Sequence, residues 1–115
     1  MSDTSTSVGE LKQRVAQFVR DRDWEQFHTP KNLAISIAIE AAELLEVYQW
    51  RSERESGEQA QNPELREKVD EELADVLIYC LSLANRMGID ISHVVQQKLT
   101  RNAAKYPVNH FRGRS

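Results

Sequence analysis

Two short acidic signatures sit inside the most apolar part of this chain: Glu40-Ala-Ala-Glu43 and, some thirty residues on, Glu72-Leu-Ala-Asp75. Each pair has i, i+3 spacing, which puts both side chains on one face of a helix. Two such helices side by side bring four carboxylates into one pocket. Burying carboxylates is costly unless positive charge accompanies them, and no Lys, Arg or His lies between Leu33 and Trp50. A hard divalent cation with oxygen ligands resolves the conflict, and for a site that carries substrate this points to Mg²⁺. The chemistry open to such a site is hydrolysis by a metal-activated water.

Other chemistries lack their residues. A di-iron helical bundle needs Glu-x-x-His on two helices, and that spacing occurs once, at Glu25-Gln-Phe-His28 in a short connector. His28, His93 and His110 are scattered without zinc-ligand spacing. Four unclustered glycines make no phosphate-cradling loop, and no Ser or Cys nucleophile context is present. Lys98, Asn102, Lys105 and Tyr106 do form a donor-rich stripe near the chain's end. It reads either as a solvated face or as a clamp on phosphate oxygens. Trp24 and Phe27, in a short connector, are either plugs for the end of a bundle or a stacking surface for a flat ligand. Trp50 suits a core or interface position as well as it suits a base.

The elements that would position these residues are helical. The chain has 115 residues, 40% hydrophobic and 29% charged, which fits one domain with a modest core; the core is expected over about residues 7–107, with loose termini. Four helices and no strand are expected. The first begins at a capping box, Ser7-Val8-Gly9-Glu10, and runs to about Asp23. The second has Thr29 as N-cap and Pro30 at the first helical position, and continues to about Arg51. It is apolar almost all round, which predicts burial by a second subunit as well as by its own chain. Arg51–Asn62 is polar and reads as a surface loop. The third helix opens at Asn62-Pro63, carries a seam through Val69, Leu73, Val76, Cys80, Leu83 and Met87, and stops at Gly88. The fourth is capped by Asp90, with Ile91, Val94, Val95 and Leu99 expected in the core, and ends at Pro107. The tail from Val108 is short and basic.

A formal charge of −3 argues against a nucleic-acid polymer as partner. The single cysteine, Cys80, reads as a packing residue. No apolar run is long enough to span a membrane, and Met1–Ser7 shows no secretory pattern; a cytoplasmic location is the expectation.

At this point separated motifs agree in order and spacing with one family. The chain resembles the all-α nucleoside triphosphate pyrophosphohydrolases of the MazG-like superfamily, and in particular their dCTP pyrophosphatase branch. The resemblance rests on Glu40, Glu43, Glu72 and Asp75, on Arg22-Asp-Trp-Glu-Gln-Phe-His28, Pro30-Lys-Asn-Leu33, Tyr48-Gln-Trp50 and Glu71 through Tyr79, and on Lys98 through Asn102 to Tyr106-Pro107, and covers about residues 8–107. It implies an all-α four-helix bundle completed by oligomerisation, as a homodimer or homotetramer, with sites near subunit interfaces. It implies Mg²⁺-dependent hydrolysis of the α–β bond of a nucleoside triphosphate, dCTP or a modified dCTP, to monophosphate and pyrophosphate, in pool control or house-cleaning. The four acids would hold the metal and carry catalysis. Trp24, His28, Trp50 and Tyr79 would line the base side, and Lys98, Asn102, Lys105 and Tyr106 the phosphate side. One position departs: animal members carry a base-contacting histidine on the first helix where this chain has Val15. The competing readings are a non-catalytic helical module that binds nucleotide or protein, and a pyrophosphatase of the same fold for another base such as that of dUTP.

Overall fold

The structure is a computed structural model that describes residues 1–58 and 61–114. These residues form six α-helices and one 3-10 turn, with no strand among them. Helix α1 spans Val8–Asp21, the 3-10 turn Glu25–Phe27, α2 Pro30–Tyr48, α3 Glu53–Gly57, α4 Pro63–Met87, α5 Ile91–Lys105 and α6 Val108–Phe111.

The four long helices begin where their caps say they should. Ser7, Thr29, Asn62 and Asp90 each accept a hydrogen bond from the backbone N–H three residues on, satisfying a donor that the first turn leaves free. Pro30 and Pro63 sit at first helical positions, where a missing N–H costs nothing. Gly88 ends α4 in the left-handed conformation (φ 65°), and the Ile89 N–H donates back to the Ala84 carbonyl at 2.9 Å, closing a Schellman cap. Asp23 also takes a positive φ, 55°, a conformation that Asp tolerates better than most residues, and so turns the chain out of α1 into the 3-10 turn.

Four expectations need correcting. The polar segment Arg51–Asn62 is not structureless: it contains α3, started by a complete capping box in which Ser52 and Glu55 bond each other's backbone N–H. Gln59 and Ala60 of that segment lie outside the described residues, as does Ser115 of the tail. The tail itself forms α6, whose Phe111 packs edge-on against Tyr106 at 5.2 Å. Helix α5 does not turn Val94, Val95 and Leu99 into a core, since all three are exposed. The bundle seam of α4 is likewise open at Leu73 and Met87.

The packed centre is the pairing of α2 with α4, with α1 laid against α4; α5 touches the rest only sparingly. Lys12 Nζ donates to the Ile89 carbonyl at 2.6 Å and Asn85 Nδ2 to the Lys12 carbonyl at 2.9 Å, pinning α1 to the end of α4. Leu33 and Leu65 are the large side chains buried completely. Much of the remaining apolar surface of α2 and α4 is open, including Ile35, Ile39, Leu45, Leu73, Leu77 and Ile78. The global dimensions agree. The radius of gyration is 17.1 Å, against roughly 13 Å for a compact domain of this length. The accessible surface is 9240 Å², against roughly 6,500 Å² for a folded monomer of this mass.

Candidate active site

The two acidic signatures meet. Carboxylate oxygens of Glu40 and Glu43 on α2 and Glu72 on α4 all lie within 4.8 Å of one another. The i, i+3 spacing turns Glu40 and Glu43 to the same side of α2, and the α2–α4 packing puts Glu72 opposite. Asp75 falls outside that closest set but stands near enough to repel the charges of Glu40 and Glu72.

Among the described residues no cation pairs with these carboxylates. The ion pairs among the described residues are three surface i, i+4 pairs, Arg54–Glu58, Arg66–Asp70 and Lys68–Glu64, none of which includes an acid of the cluster. Glu40 Oε2 and Glu72 Oε2 are buried without a hydrogen-bond partner. Burial, a hydrogen bond shared with Glu43 and the charges of Glu43, Asp75 and Glu72 together push the Glu40 carboxyl up to about 7. Burial, followed by the charges of Glu43 and Asp75, raises Glu72 as well. Converging carboxylates with orphaned oxygens and suppressed ionisation are what an oxygen-seeking divalent cation would relieve, so these residues fit Mg²⁺.

The aromatic candidates divide. His28 and Tyr79 come together, ring centroids 6.4 Å apart, one turn of α4 beyond Asp75. Trp24 packs edge-on against Phe18 at 5.8 Å, and the Arg22 guanidinium lies 3.6 Å over that Phe18 ring. This is a surface cluster rather than a plug for the bundle, because Phe18, Trp24 and Phe27 are all exposed. Trp50, just past the end of α2, is 88% exposed. The donor stripe of Lys98, Asn102, Lys105 and Tyr106 runs down the last two turns of α5 and its C-cap, with the Lys105 ammonium 5.4 Å from the Tyr106 ring. Because α5 stands apart from the α2–α4 pair, the stripe is not packed onto the acids of its own chain.

Sequence reasoning missed one feature. Between α1, the 3-10 turn and α4 is a cavity of about 220 Å³, lined among others by Arg20, His28, Ser82, Asn85 and Arg86. Its one sequence signal is Ser82, a hydroxyl placed at an inward position of an otherwise apolar helical run.

Comparison with known proteins agrees with the geometry. Residues 35–115 match the family model of the MazG-like family. The chain is 43% identical over 107 residues to dCTP pyrophosphatase 1 of Rattus norvegicus, covering 93% of this chain and 63% of the rat protein. It is 40% identical over 109 residues to dCTP pyrophosphatase 1 of Homo sapiens, covering 95% and 64%. The chain therefore spans under two thirds of the length of these relatives. The crystal structure of a pyrophosphatase from Archaeoglobus fulgidus superposes with a TM-score of 0.81 at 42% identity, over 93% of this chain and 98% of the other. With the matched region holding all four motif acids and the α5 stripe, this chain belongs to the MazG-like family.

Proposed function

We propose that this protein is a nucleoside triphosphate pyrophosphohydrolase that cleaves between the α- and β-phosphates, with dCTP or a 5-substituted dCTP as the substrate and the cytoplasmic nucleotide pool as its setting. The observation that carries the reading is the convergence of Glu40, Glu43 and Glu72 around buried, unpartnered oxygens with no ion pair to them among the described residues. The names of the relatives, dCTP pyrophosphatase 1 and pyrophosphatase, supply the substrate class.

In this reading Glu40, Glu43, Glu72 and Asp75 would hold Mg²⁺, which when bound would supply positive charge against the triphosphate. The carboxylates fix where the phosphate chain lies, and one of them takes the proton of the attacking water as the bond to α-phosphorus forms and pyrophosphate leaves. Lys98, Asn102 and Lys105 donate to phosphate oxygens, with the Tyr106 hydroxyl beside them. His28 and Tyr79 hold the nucleoside side, with Trp24 and Trp50 available for stacking.

The same reading includes a homodimer or homotetramer. Its support is the open apolar surface of α2, α4 and α5 and the expanded single chain. A second copy packed there covers Ile39, Leu45 and Val95 and brings another α5 stripe toward the acids, completing a site that one chain leaves open.

The test is pyrophosphate release from a panel of canonical and modified dNTPs, in Mg²⁺ and in EDTA. Metal-dependent release fastest for dCTP or a 5-substituted dCTP is the expected result. Release spread over many bases keeps the reaction and removes the cytosine assignment. Release fastest for dUTP moves the chain to the other branch of the fold, and no release from any nucleotide leaves a helical binding module as the better account.

A further inference from the structure

Helices α1 and α4 both end on a Schellman cap, and the two caps are built from different residues. In α4 the left-handed position is Gly88, which takes φ 65° without strain. In α1 it is Asp23, at φ 55°. The Asp23 N–H donates to the Arg20 carbonyl at 3.0 Å and the Trp24 N–H to the Val19 carbonyl at 3.0 Å, which completes the same motif. A side chain at this position strains the turn, and it also admits fewer backbone conformations than glycine would. Gln26 braces the turn, donating from Nε2 to the Asp23 carbonyl at 3.0 Å. Trp24 therefore leaves α1 along one fixed backbone path.

The motif ordinarily lays the residue after the left-handed one onto the last turns of its helix. Here that contact is aromatic: Trp24 meets Phe18 with ring centroids 5.8 Å apart at 73°. Phe18 has a second partner. The Arg22 guanidinium lies 3.6 Å from the centre of its ring, and Arg22 Nη1 donates to the Phe18 carbonyl at 3.0 Å. That bond answers one of the carbonyls a helix end leaves free, and it anchors the guanidinium where the cation–π contact needs it. The resulting set stands on the surface, with Phe18 47% and Trp24 43% exposed. Rings left this open bury little of their area in a core; held in one orientation, they suit the stacking of a flat ligand. The backbone also ties the set to the acids. Trp24 is the N-cap of the 3-10 turn and His28 its C-cap, with the Phe27 N–H on the Trp24 carbonyl at 3.0 Å. His28 in turn meets Tyr79, one turn of α4 beyond Asp75.

We propose that Phe18 and Arg22 are positioning residues that hold the Trp24 ring in the orientation that receives the base, a role that rests on the pyrophosphohydrolase reading and deepens it. An indole free to turn must be ordered each time a nucleotide binds, which weakens binding. A ring already leaning on Phe18 is ordered beforehand. The effect falls on KM rather than on kcat, because Trp24 acts on the nucleoside and the acids on the bond that breaks.

The experiment measures pyrophosphate release from the favoured nucleotide in Phe18→Leu, Phe18→Tyr, Arg22→Met and Trp24→Leu, and in the double variant that joins Phe18→Leu to Trp24→Leu. Phe18→Leu raises KM about fivefold, the scale of one lost edge-to-face pair, with kcat within about twofold of the wild type. Phe18→Tyr, which keeps the ring, restores KM. Arg22→Met, at an exposed position, raises KM about threefold and leaves the apolar centre closed. In the Trp24→Leu background the Phe18→Leu change has no further effect, since it acts only through the indole. With Trp50→Phe, which leaves Trp24 as the remaining tryptophan, fluorescence anisotropy decay without nucleotide shows the indole gaining nanosecond motion in Phe18→Leu and Arg22→Met. A KM unchanged in both of those variants overturns the inference and leaves the reaction standing. So does a Phe18→Leu loss as large without Trp24 as with it, which marks a merely structural role. Absence of pyrophosphate release from every nucleotide in the wild type overturns the underlying reading instead.

Discussion

Helices α4 and α5 carry the two halves of the candidate site, and they are held very differently. Along α4 the side chains that matter meet partners from the same chain: Glu72 meets Glu40 and Glu43, and Tyr79 meets His28. Along α5 the ring contacts among the described residues join Lys105, Tyr106 and Phe111 at that helix's own C-terminal end, and the apolar residues Val94, Val95 and Leu99 are open. The acid half is assembled by one chain's own packing, so its position is fixed as soon as α2 and α4 pair. The donor half has a sequence suited to phosphate and no fixed place in the single chain. Four carboxyl groups gathered with no paired cation among the described residues cost stability, and the fold bears that cost at a place where a divalent ion and a polyanion would together remove it.

The sharpest way to break this contrast is to remove an acid. Glu43→Gln or Asp75→Ala should reduce pyrophosphate release by more than about 100-fold, since losing a direct metal contact exceeds the effect of losing an outer-shell one. The far-ultraviolet circular dichroism of both variants should stay helical. Robust turnover in either would detach the reaction from the cluster.

The next test strikes the open faces. Ile39→Asp combined with Val95→Asp should raise the subunit dissociation constant on the order of thirtyfold or more, the scale of a truncated interface anchor. Sedimentation and activity measured over a dilution series should fall together. Activity that persists in a fully monomeric variant would show that α5 closes over its own chain's acids.

A smaller effect belongs to the stripe. Lys98→Ala should raise KM about tenfold through one lost charge-assisted hydrogen bond, with the loss growing less severe at high salt. An unchanged KM would make the stripe a solvated face.

The smallest effect concerns pH without metal. The Glu40 carboxyl sits at about 7 in the folded chain against 4.5 ordinarily. Between these values the folded state keeps a proton that the unfolded chain has released, so this group's contribution is fully present below about 4.5 and is lost as pH rises through 7. In EDTA the melting temperature should therefore climb as pH is lowered from 7.5 toward 5.5. Saturating Mg²⁺ at pH 7.5 should restore stability, by about 2.7 kcal/mol at a hundred times its dissociation constant. A melting temperature indifferent to pH would mean that the carboxylates are better solvated than their orphaned oxygens indicate.

Much of this was readable in advance because it depends on local rules. Thr29-Pro30, Asn62-Pro63 and Gly88 mark their helix ends in the structure as they do in the sequence. The i, i+3 acids announce their shared face by spacing alone. The capping box at Ser52 went unread although its chemistry is as local as that of Ser7, because no apolar period follows it to identify a helix. The periodicity of the α5 apolar residues reports that a face wants burial but not which surface supplies it, and Val94, Val95 and Leu99 stay exposed in the single chain.

What the sequence by itself determined is the four long helices and the shared face of each acidic pair, since caps, prolines and side-chain period act within a few residues. Only the tertiary structure decided that Glu40, Glu43 and Glu72 converge while Asp75 stands to one side, that His28 meets Tyr79 while both tryptophans stay exposed, and that a buried serine lines a cavity between α1 and α4. Those facts depend on the depth and rotation with which α1, α2 and α4 pack. Helix packing is fixed by the interlocking of many side chains from separate segments, and no local run of residues encodes it alone.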